Sequence, residues 1–353
     1  MEIGSEFWLE KQVVVDYDDK IPHWLKKYGD IVLTSSGRGA ISLVLDQVDP
    51  KIKRVLLPSY VCDSVLLPFE KAGYELIYYD VDKQFKPQKI EIENIDIGIF
   101  FHMGYFGFQT NQILNDTISK LRARSVIIIE DVTHTLFSSY QKPMDNDFVI
   151  GSIRKWFGVP SGGFVASSKI INAQLLYPPN EFIDLRISSL KMKFEYIKTL
   201  NKSLKDSYLV GFRKAEQILD EDVDSYRIDR MSEMIIKYIN IDKIEKVRRS
   251  NFQFLLKHLK DVKGIEVVFQ NIKYDVIPIF FPIYINHNRD KLRSDLISKE
   301  IYCPIHWSFP NQLEGHLSSE TKEIYDSILS IPCDQRYGIK DMKRIIDVIK
   351  ELV

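Results

Sequence analysis

The 353-residue chain has little of what marks several common classes of protein. Its three cysteines, Cys62, Cys303 and Cys333, lie far apart, which favours reduced thiols over a disulfide framework or a zinc knuckle. Its net charge of −1 lacks the basic excess that binding to a phosphate backbone requires. We therefore expect no nucleic-acid partner.

Long apolar runs and nucleotide-binding fingerprints are absent as well. No stretch approaches the roughly 18 apolar residues that span a bilayer, so we expect no membrane partner. The opening MEIGSEFWLEKQ has no basic segment followed by an apolar run, which predicts a cytoplasmic protein without a signal peptide. Neither GxGxxG nor GxxxxGKS/T occurs, so a dinucleotide site and a P-loop are not supported. The spacing of His102, His134 and His306 does not indicate a metal site, and we predict none.

The sequence does contain a long alternation of short apolar runs and helical patterns. The apolar runs span 31–35, 54–59, 75–82, 97–103, 125–131, 147–153 and 163–168. Several are apolar at consecutive positions, as in strands buried on both faces, and 38–48, 62–72 and 112–124 between them have helical spacing. The pattern predicts an α/β fold with a mostly parallel, doubly wound sheet.

The length suggests about two domains. We predict a large domain over 1–228, which includes a lysine-rich helical segment at 187–222. A second helical stretch, 230–260, opens the remainder of the chain, which mixes predicted strands (276–285 and 302–307) with helices (289–299 and 340–352). We predict a smaller α+β domain over 229–353.

Polar residues at the predicted strand ends carry the functional signal, because ligands of such sheets bind at the carboxyl ends of the strands. Asp131 ends the run IIIED, where a rigidly held carboxylate can keep a pyridine nitrogen protonated. Lys155 lies among apolar residues beside Arg154, surroundings that favour the neutral, nucleophilic amine. Taken alone, Lys155 also fits a surface loop, and Asp131 also fits an ordinary strand end. Together with a glycine turn upstream, they are what a pyridoxal phosphate site needs.

The glycine turn is SSGRGAI, at the start of a predicted helix. Amides at a helix N-terminus favour a phosphate, so Ser36, Gly37 and Arg38 are predicted cofactor contacts, with the Ser152 hydroxyl as a second phosphate ligand. Many α/β turns carry two glycines without binding a phosphate, so the motif is weak alone.

Ring contacts and substrate contacts are predicted from loops. His134 follows Asp131 by three residues, where it can donate to a ring hydroxyl or serve only as a structural group. Tyr60 follows the second strand and can stack on the ring, although a buried tyrosine or a substrate contact fits equally. Tyr105, His306 and Trp307 lie in loops where a substrate can bind.

These pieces, in this order, resemble the DegT/StrS-type aminotransferases, which are fold-type-I pyridoxal phosphate enzymes that aminate keto sugars on nucleotide carriers. The resemblance rests on LLPSY, FHMGYFG, IEDVTH, Ser-x-x-Lys with Gly-Gly seven and eight residues after the lysine, RMSEM, YCPIHW and LSIPCDQRY. It covers most of 31–168 and 226–353. The lysine-to-glycine spacing and the Asp-x-x-His turn are its most specific parts.

The resemblance implies Lys155 as the Schiff-base lysine, Asp131 as the partner of the pyridine nitrogen and His134 beside the ring hydroxyl. Gly37 and Arg38 match the positions whose amides meet the phosphate. It further implies a homodimer in which both subunits contribute to each active site.

The chain departs from the family pattern at several positions. Ser161 replaces the usual acid before Gly-Gly, and Cys62 stands where an aromatic residue often stacks on the cofactor. Ile228 occupies the position of an asparagine that the partner often sends to the phosphate, which leaves Arg227 or Asp229 as substitutes.

The expected function is therefore amino transfer, with glutamate as the donor and a nucleotide-linked keto sugar for polysaccharide or secondary-metabolite synthesis as the acceptor. Two alternatives remain open at the level of sequence. One is a pyridoxal phosphate-dependent lyase or dehydratase. The other is a catalytically silent protein of the same fold that binds a ligand or partner, which the departures at Ser161 and Ile228 suggest.

Overall fold

The computed structural model describes residues 2–9, 21–139, 144–315 and 317–353. The strands are, in chain order, β1 (Ile3–Gly4), β2 (Asp30–Thr34), β3 (Arg54–Pro58), β4 (Glu75–Tyr79), β5 (Ile99–Met103), β6 (Ile127–Asp131), β7 (Phe148–Ser152), β8 (Gly163–Ser167), β9 (Ile265–Val267), β10 (Phe281–Ile285), β11 (Ile301–Tyr302) and β12 (Ile328–Ile331). The α-helices are α1 (Gly37–Gln47), α2 (Asp63–Lys71), α3 (Asn115–Ala123), α4 (Asn180–Thr199), α5 (Lys202–Glu221), α6 (Arg230–Lys237), α7 (Ile241–Leu259), α8 (Arg289–Ser298), α9 (Ser319–Ser327) and α10 (Ile339–Leu352).

A seven-stranded sheet in the order β4-β3-β5-β6-β7-β8-β2 contains the strands predicted between 31 and 168. Its strands are parallel except for β8, which runs antiparallel to both of its neighbours, β7 and β2. The predicted α/β fold with a mostly parallel sheet is therefore confirmed. Because six strands point the same way, their carboxyl ends share one edge, and the first residue of β8 lies at that edge too.

Consecutive apolar residues in the strands serve the two faces of this sheet. In β6, Ile129 packs into a cluster with α1 and α2, whereas its neighbour Ile128 packs into a second cluster with α3. Side chains of adjacent strand residues point to opposite faces, so a run such as Ile127–Ile129 is buried only when helices cover both sides. The helices on both faces hold the site-bearing edge rigid.

The predicted helical segment at 187–222 is a hairpin of the two long helices α4 and α5. Leu200 ends α4 in the left-handed conformation (φ 56°), and the Asn201 side chain caps α5 by accepting a hydrogen bond from the Ser203 amide. The stretch 230–260 is likewise two helices, because the Asn240 side chain accepts from the Lys243 amide and starts α7.

The C-terminal part contains the antiparallel sheet β9-β10-β12 with α7, α8 and α10 around it. Two predicted strands there are shorter than expected. In 276–285 only β10 pairs in the sheet, because the Ile277 and Ile279 amides donate instead to Ser138 Oγ and the Phe106 carbonyl. In 302–307 only Tyr302 belongs to a strand, β11.

The predicted domain boundary after residue 228 remains a prediction. Ile235, Ile236 and Ile244, which follow it, pack into the apolar cluster of the large sheet. The C-terminal cluster takes its first helical residue at Phe252. Among the residues that the structure describes, no helix combines the length and apolar character needed to cross a bilayer.

Candidate active site

The residues singled out in the sequence follow the carboxyl ends of the parallel strands. Along the shared edge lie Ser36, Gly37 and Arg38 after β2, Tyr60 after β3, Tyr105 after β5, Asp131 and His134 at the end of β6, and Ser152 and Lys155 at the end of β7. Residues separated by more than 100 positions in the sequence thus share one edge of the sheet. This edge is where open α/β sheets bind ligands.

The glycine turn forms the N-terminus of α1. The Ser36 hydroxyl accepts from the Gly39 amide at 3.0 Å and caps the helix. The amides of Gly37 and Arg38, in the first turn, have no acceptor within the helix itself and are suited to an anion. A Cβ on Gly37 would lie 3.3 Å from Ser152 Cβ, so the turn and Ser152 are in contact distance of each other.

Gly163 explains the glycine pair after the lysine. It pairs across the sheet with Thr34 on one side and Ser152 on the other. A Cβ at this position would lie 2.3 Å from the Ser36 carbonyl oxygen, which no side chain tolerates. Glycine here therefore allows β2, β8 and β7 to bring the glycine turn beside the lysine segment.

Asp131 is a buried carboxylate with little hydrogen-bond support. Burial raises its pKa to about 6, and hydrogen bonds from Thr133, including one of 2.7 Å from its amide, counteract part of that rise. A cationic ring nitrogen facing Asp131 would stabilise the ionised carboxylate and reverse the shift. The site thus contains an acid whose burial suits a positively charged partner.

Thr133 was not among the predicted site residues, yet it joins β6 and β7, the strands that precede His134 and Lys155. Its hydroxyl accepts from the Ser152 amide at 2.9 Å, and its carbonyl accepts from the Trp156 indole at 2.7 Å. The only signal in the sequence was a hydroxyl residue two positions after an acid, which often forms such a turn.

His134 is buried and its tautomer follows from its hydrogen bond. Its Nδ1 accepts from the Phe106 amide at 3.3 Å, which leaves the proton on Nε2. Burial, with Lys155 nearby, lowers its pKa to about 3, so the ring is neutral. The Trp307 ring stacks on it at 5.2 Å between centroids. The geometry leaves His134 with one donor, as a contact to a ring hydroxyl requires.

Lys155 ends a short 3-10 turn that follows β7, and it is exposed. The residues on both sides of it, Arg154 and Trp156, are buried, as is Ile153. The backbone is therefore anchored while the amine is accessible, an arrangement that a covalent cofactor contact needs.

Tyr60 and Tyr105 lie in an aromatic cluster beside His134. Tyr60 is fully buried, with the rings of Tyr325 at 4.8 Å and Trp307 at 5.2 Å from its own. The Tyr105 hydroxyl donates to the Tyr60 carbonyl at 2.6 Å. The contact of Tyr60 with the cofactor and that of Tyr105 with the substrate remain predictions, because both rings pack against other side chains of the chain.

His306 and Trp307 reach the same place from the C-terminal part of the chain. The His306 ring lies 5.8 Å from that of His134, and its Nδ1 is 2.8 Å from Ser330 Oγ. Burial, reinforced by His134 and Lys155, holds the pKa of His306 well below its ordinary value. Both residues line the site, and their role in substrate binding stays a prediction.

The departures at Ser161 and Ile228 belong to one local arrangement. The Ser161 hydroxyl donates to Asp229 at 2.6 Å, so a carboxylate still lies beside the glycine pair. Asp229 also caps α6, and Ile228 is buried. Arg227 instead stacks on the exposed Tyr177 ring, with its guanidinium 4.7 Å from the ring centroid. Of the three positions 227–229, Arg227 is the one that is not buried.

No group of three or more histidine, cysteine or acidic residues able to hold a metal occurs in the described ranges.

No protein-family model matches the chain, and no curated protein matches it. Solved structures do match its fold. Spr1654 from Streptococcus pneumoniae, in its PLP form, is 12% identical, with a TM-score of 0.70 and a match covering 100% of this chain and 98% of that one. A DegT DnrJ EryC1 StrS aminotransferase from Brucella abortus is 17% identical, with a TM-score of 0.62 and coverage of 93% and 87%. DesI, solved in the presence of its TDP-sugar product, is 14% identical, with a TM-score of 0.65 and coverage of 91% and 80%.

The chain thus has the fold of the DegT/StrS-type aminotransferases, as its sequence motifs indicate. The residues at the strand edge also fit the cofactor of such enzymes. The buried carboxylate suits a cationic ring nitrogen, and the accessible lysine suits an aldehyde. The N-terminus of α1, where Gly37 and Gly163 carry no side chains, suits a phosphate.

Proposed function

We propose that the protein is a pyridoxal phosphate-dependent aminotransferase that moves an amino group from glutamate to a nucleotide-linked keto sugar. The observation that carries this proposal is the shared edge of the sheet, where Asp131, Lys155 and the turn at Ser36–Arg38 come together. The likeness in fold to sugar aminotransferases supports it.

Each residue has a distinct task in the proposed site. The amides of Gly37 and Arg38, with the Ser152 hydroxyl, hold the phosphate, and Asp131 faces the ring nitrogen. His134 donates from Nε2 to the ring hydroxyl, and Tyr60 forms part of the aromatic wall. When bound, pyridoxal phosphate supplies the electron sink that makes loss of a proton from the donor carbon feasible.

Lys155 acts first as the covalent anchor and then as the proton carrier. With the cofactor bound, the free Lys155 amine would take the proton from the α-carbon of the donor and deliver it to the cofactor carbon that carries the transferred nitrogen. The anchored backbone on both sides of Lys155 keeps that amine within reach of the reacting carbon.

The acceptor is proposed as a keto sugar on a nucleotide because DesI, which shares the fold, was solved with a TDP-sugar product. Tyr105, His306 and Trp307 are proposed to contact that sugar. A role in polysaccharide or secondary-metabolite synthesis, in the cytoplasm, completes this proposal.

A homodimer with shared active sites is part of the proposal. Tyr177 and Leu176, which lie beside Arg227, are exposed by 71% and 72%. Arg227 is proposed to enter the partner's site in place of the family's asparagine. The Ser161–Asp229 pair keeps a carboxylate beside the glycine pair, so the departure at Ser161 does not favour a silent homologue.

Transfer of labelled nitrogen is the direct test of the reaction. The protein, loaded with pyridoxal phosphate, is given ¹⁵N-glutamate and a TDP-4-keto-6-deoxyhexose, and the sugar is analysed by mass spectrometry. We expect ¹⁵N in the sugar with wild type and none with Lys155→Ala. Loss of water or cleavage of the sugar without nitrogen uptake would favour the lyase, and full turnover by Lys155→Ala would contradict the role of the lysine.

A further inference from the structure

Three arginines from three parts of the site converge on one carboxylate in α5. Glu216 contacts Arg154 through two hydrogen bonds of 2.8 and 3.3 Å, Arg38 at 3.2 Å and Arg186 at 3.6 Å. The three arginine side chains are only 7%, 12% and 4% exposed, in that order. Long charged side chains buried to this extent require a compensating charge, and Glu216 is the carboxylate they share.

The arginines connect Glu216 to three of the segments that form the site. Arg38 belongs to the phosphate turn, and Arg154 directly precedes Lys155. Arg186 donates from Nε to the Pro160 carbonyl at 3.2 Å, close to the glycine pair. One side chain of the α4–α5 hairpin therefore fixes the turn, the lysine segment and the glycine pair relative to one another.

The charges around Glu216 indicate how this carboxylate affects the electrostatic potential at Lys155. Arg38, Arg154 and Arg186 bring three positive charges, and Glu216 and Asp220, which contacts Arg38 at 2.7 Å, bring two negative ones. Burial alone would raise the pKa of Glu216, but Arg154 and Arg186 hold this pKa below its ordinary value. Glu216 therefore stays ionised.

Few other charges act on Lys155. His134 and His306 face it, and burial lowers the pKa of both, so they are neutral. Asp131 lies across the site, where the ring nitrogen is proposed to neutralise it. Glu216 is consequently the anion that all three arginines near Lys155 share, whereas Asp220 pairs with Arg38 and Glu6 acts on Arg186.

We propose that Glu216 is a positioning residue of the active site: it gathers Arg38, Arg154 and Arg186 and sets the electrostatic potential at Lys155. The inference rests on the proposed function, because it concerns the lysine as a cofactor ligand. It gives the α4–α5 hairpin a role in holding the segments of the proposed cofactor site in place.

The test follows the visible absorbance band of the lysine-bound cofactor from pH 5 to pH 10. Removing the anion in Glu216→Gln makes a proton on the lysine nitrogen less favourable, so we expect the pKa of the band to fall by about one unit. Arg154→Gln removes a cation from the same cluster, and we expect its band to titrate at higher pH than that of wild type. Structural damage alone would not shift the two variants in opposite directions.

Two further variants serve as controls. Glu216→Asp keeps the charge and should restore most of the wild-type titration. Glu195→Gln breaks a 3.2 Å ion pair with Lys198 on the exposed side of α4 and should leave the titration unchanged. If Glu216→Gln fails to fold, Arg154→Gln decides alone, and an unshifted pKa in that variant overturns the inference.

The outcomes separate this inference from the proposed function. A wild-type band combined with an unshifted Glu216→Gln titration would contradict the role of Glu216 and leave the function intact. The lack of any band in wild type would contradict the proposed function itself.

Discussion

Asp131 shows how a single residue can weaken the cofactor-free fold while serving the site. Its carboxyl is buried with Thr133 as its hydrogen-bond donor, and burial raises its pKa to about 6. An unfolded aspartate titrates near pH 4, so the folded chain binds a proton more tightly between about pH 4 and pH 6. The stability contributed at this position is therefore lost as the pH rises through that window.

Replacement of Asp131 by asparagine removes the buried charge and keeps an acceptor for the Thr133 amide. We expect Asp131→Asn to raise the unfolding free energy of the cofactor-free protein by about 1–3 kcal/mol at pH 8 and by about a third as much at pH 4.5. Urea denaturation at both pH values measures this, with the exposed Asp326→Asn as the control. An equal gain at both pH values would contradict the burial argument. Amino transfer should fall by about 100-fold or more, because the ring nitrogen loses its anionic partner.

At the scale of elements, two short contacts fix the ends of β2, β6, β7 and β8. The Thr133 hydroxyl joins β6 to β7, and Gly163 lets β8 lie against the turn after β2. Neither Thr133 nor Gly163 is itself proposed to touch the cofactor, but each contacts a residue that is, Ser152 or Ser36. The two contacts therefore set the separation of the proposed cofactor ligands.

Thr133→Val tests the first of these contacts. Valine has nearly the same shape but cannot accept from the Ser152 amide, which is left unpaired in a buried position. We expect a loss of about 1–3 kcal/mol in unfolding free energy and weaker binding of pyridoxal phosphate. Thr133→Ser keeps the hydroxyl and should stay within about 1 kcal/mol of wild type. A valine variant as stable as wild type would show that the contact is dispensable.

Gly163→Ala tests the second contact. Its methyl group would lie 2.3 Å from the Ser36 carbonyl, so β8 and the turn must separate. We expect a loss of about 2–4 kcal/mol and a marked fall in affinity for pyridoxal phosphate, measured by urea denaturation and equilibrium dialysis. Gly338→Ala, where an added Cβ meets nothing within 4 Å, should cost no more than about 1 kcal/mol. Comparable losses in both variants would argue against a specific clash at Gly163.

At the scale of the whole molecule, the sequence predicts what depends on local pattern. Strands buried on both faces are visible as consecutive apolar residues, so the seven strands of the large sheet are identified from 31–168. Glu216 is not predictable in this way, because it meets Arg154, 62 positions away, only after α5 has come to lie beside the turn that follows β7. Thr133 escapes prediction for the same reason. Its partner is set by the β6–β7 pairing and not by its neighbours in sequence.

The proposed shared active sites make a prediction that concerns the proposed dimer as a whole. Lys155→Ala and Arg227→Ala are expected to be inactive and strongly impaired, respectively, when each is purified alone. After subunit exchange, a mixed dimer has one site with Lys155 from one chain and Arg227 from the other, so amino transfer should recover to about one quarter of wild type. This figure follows from random mixing, which makes half of the dimers mixed, each with one intact site. No recovery would place Arg227 outside the partner's site.

The central claim is that Lys155 binds pyridoxal phosphate at the edge of the large sheet. The most direct measurement is the absorbance spectrum of the protein with added pyridoxal phosphate, before and after borohydride, followed by peptide mapping. We predict a visible band that borohydride abolishes, together with a cofactor adduct on the peptide that contains Lys155. No band, or an adduct only on other lysines, would contradict the account.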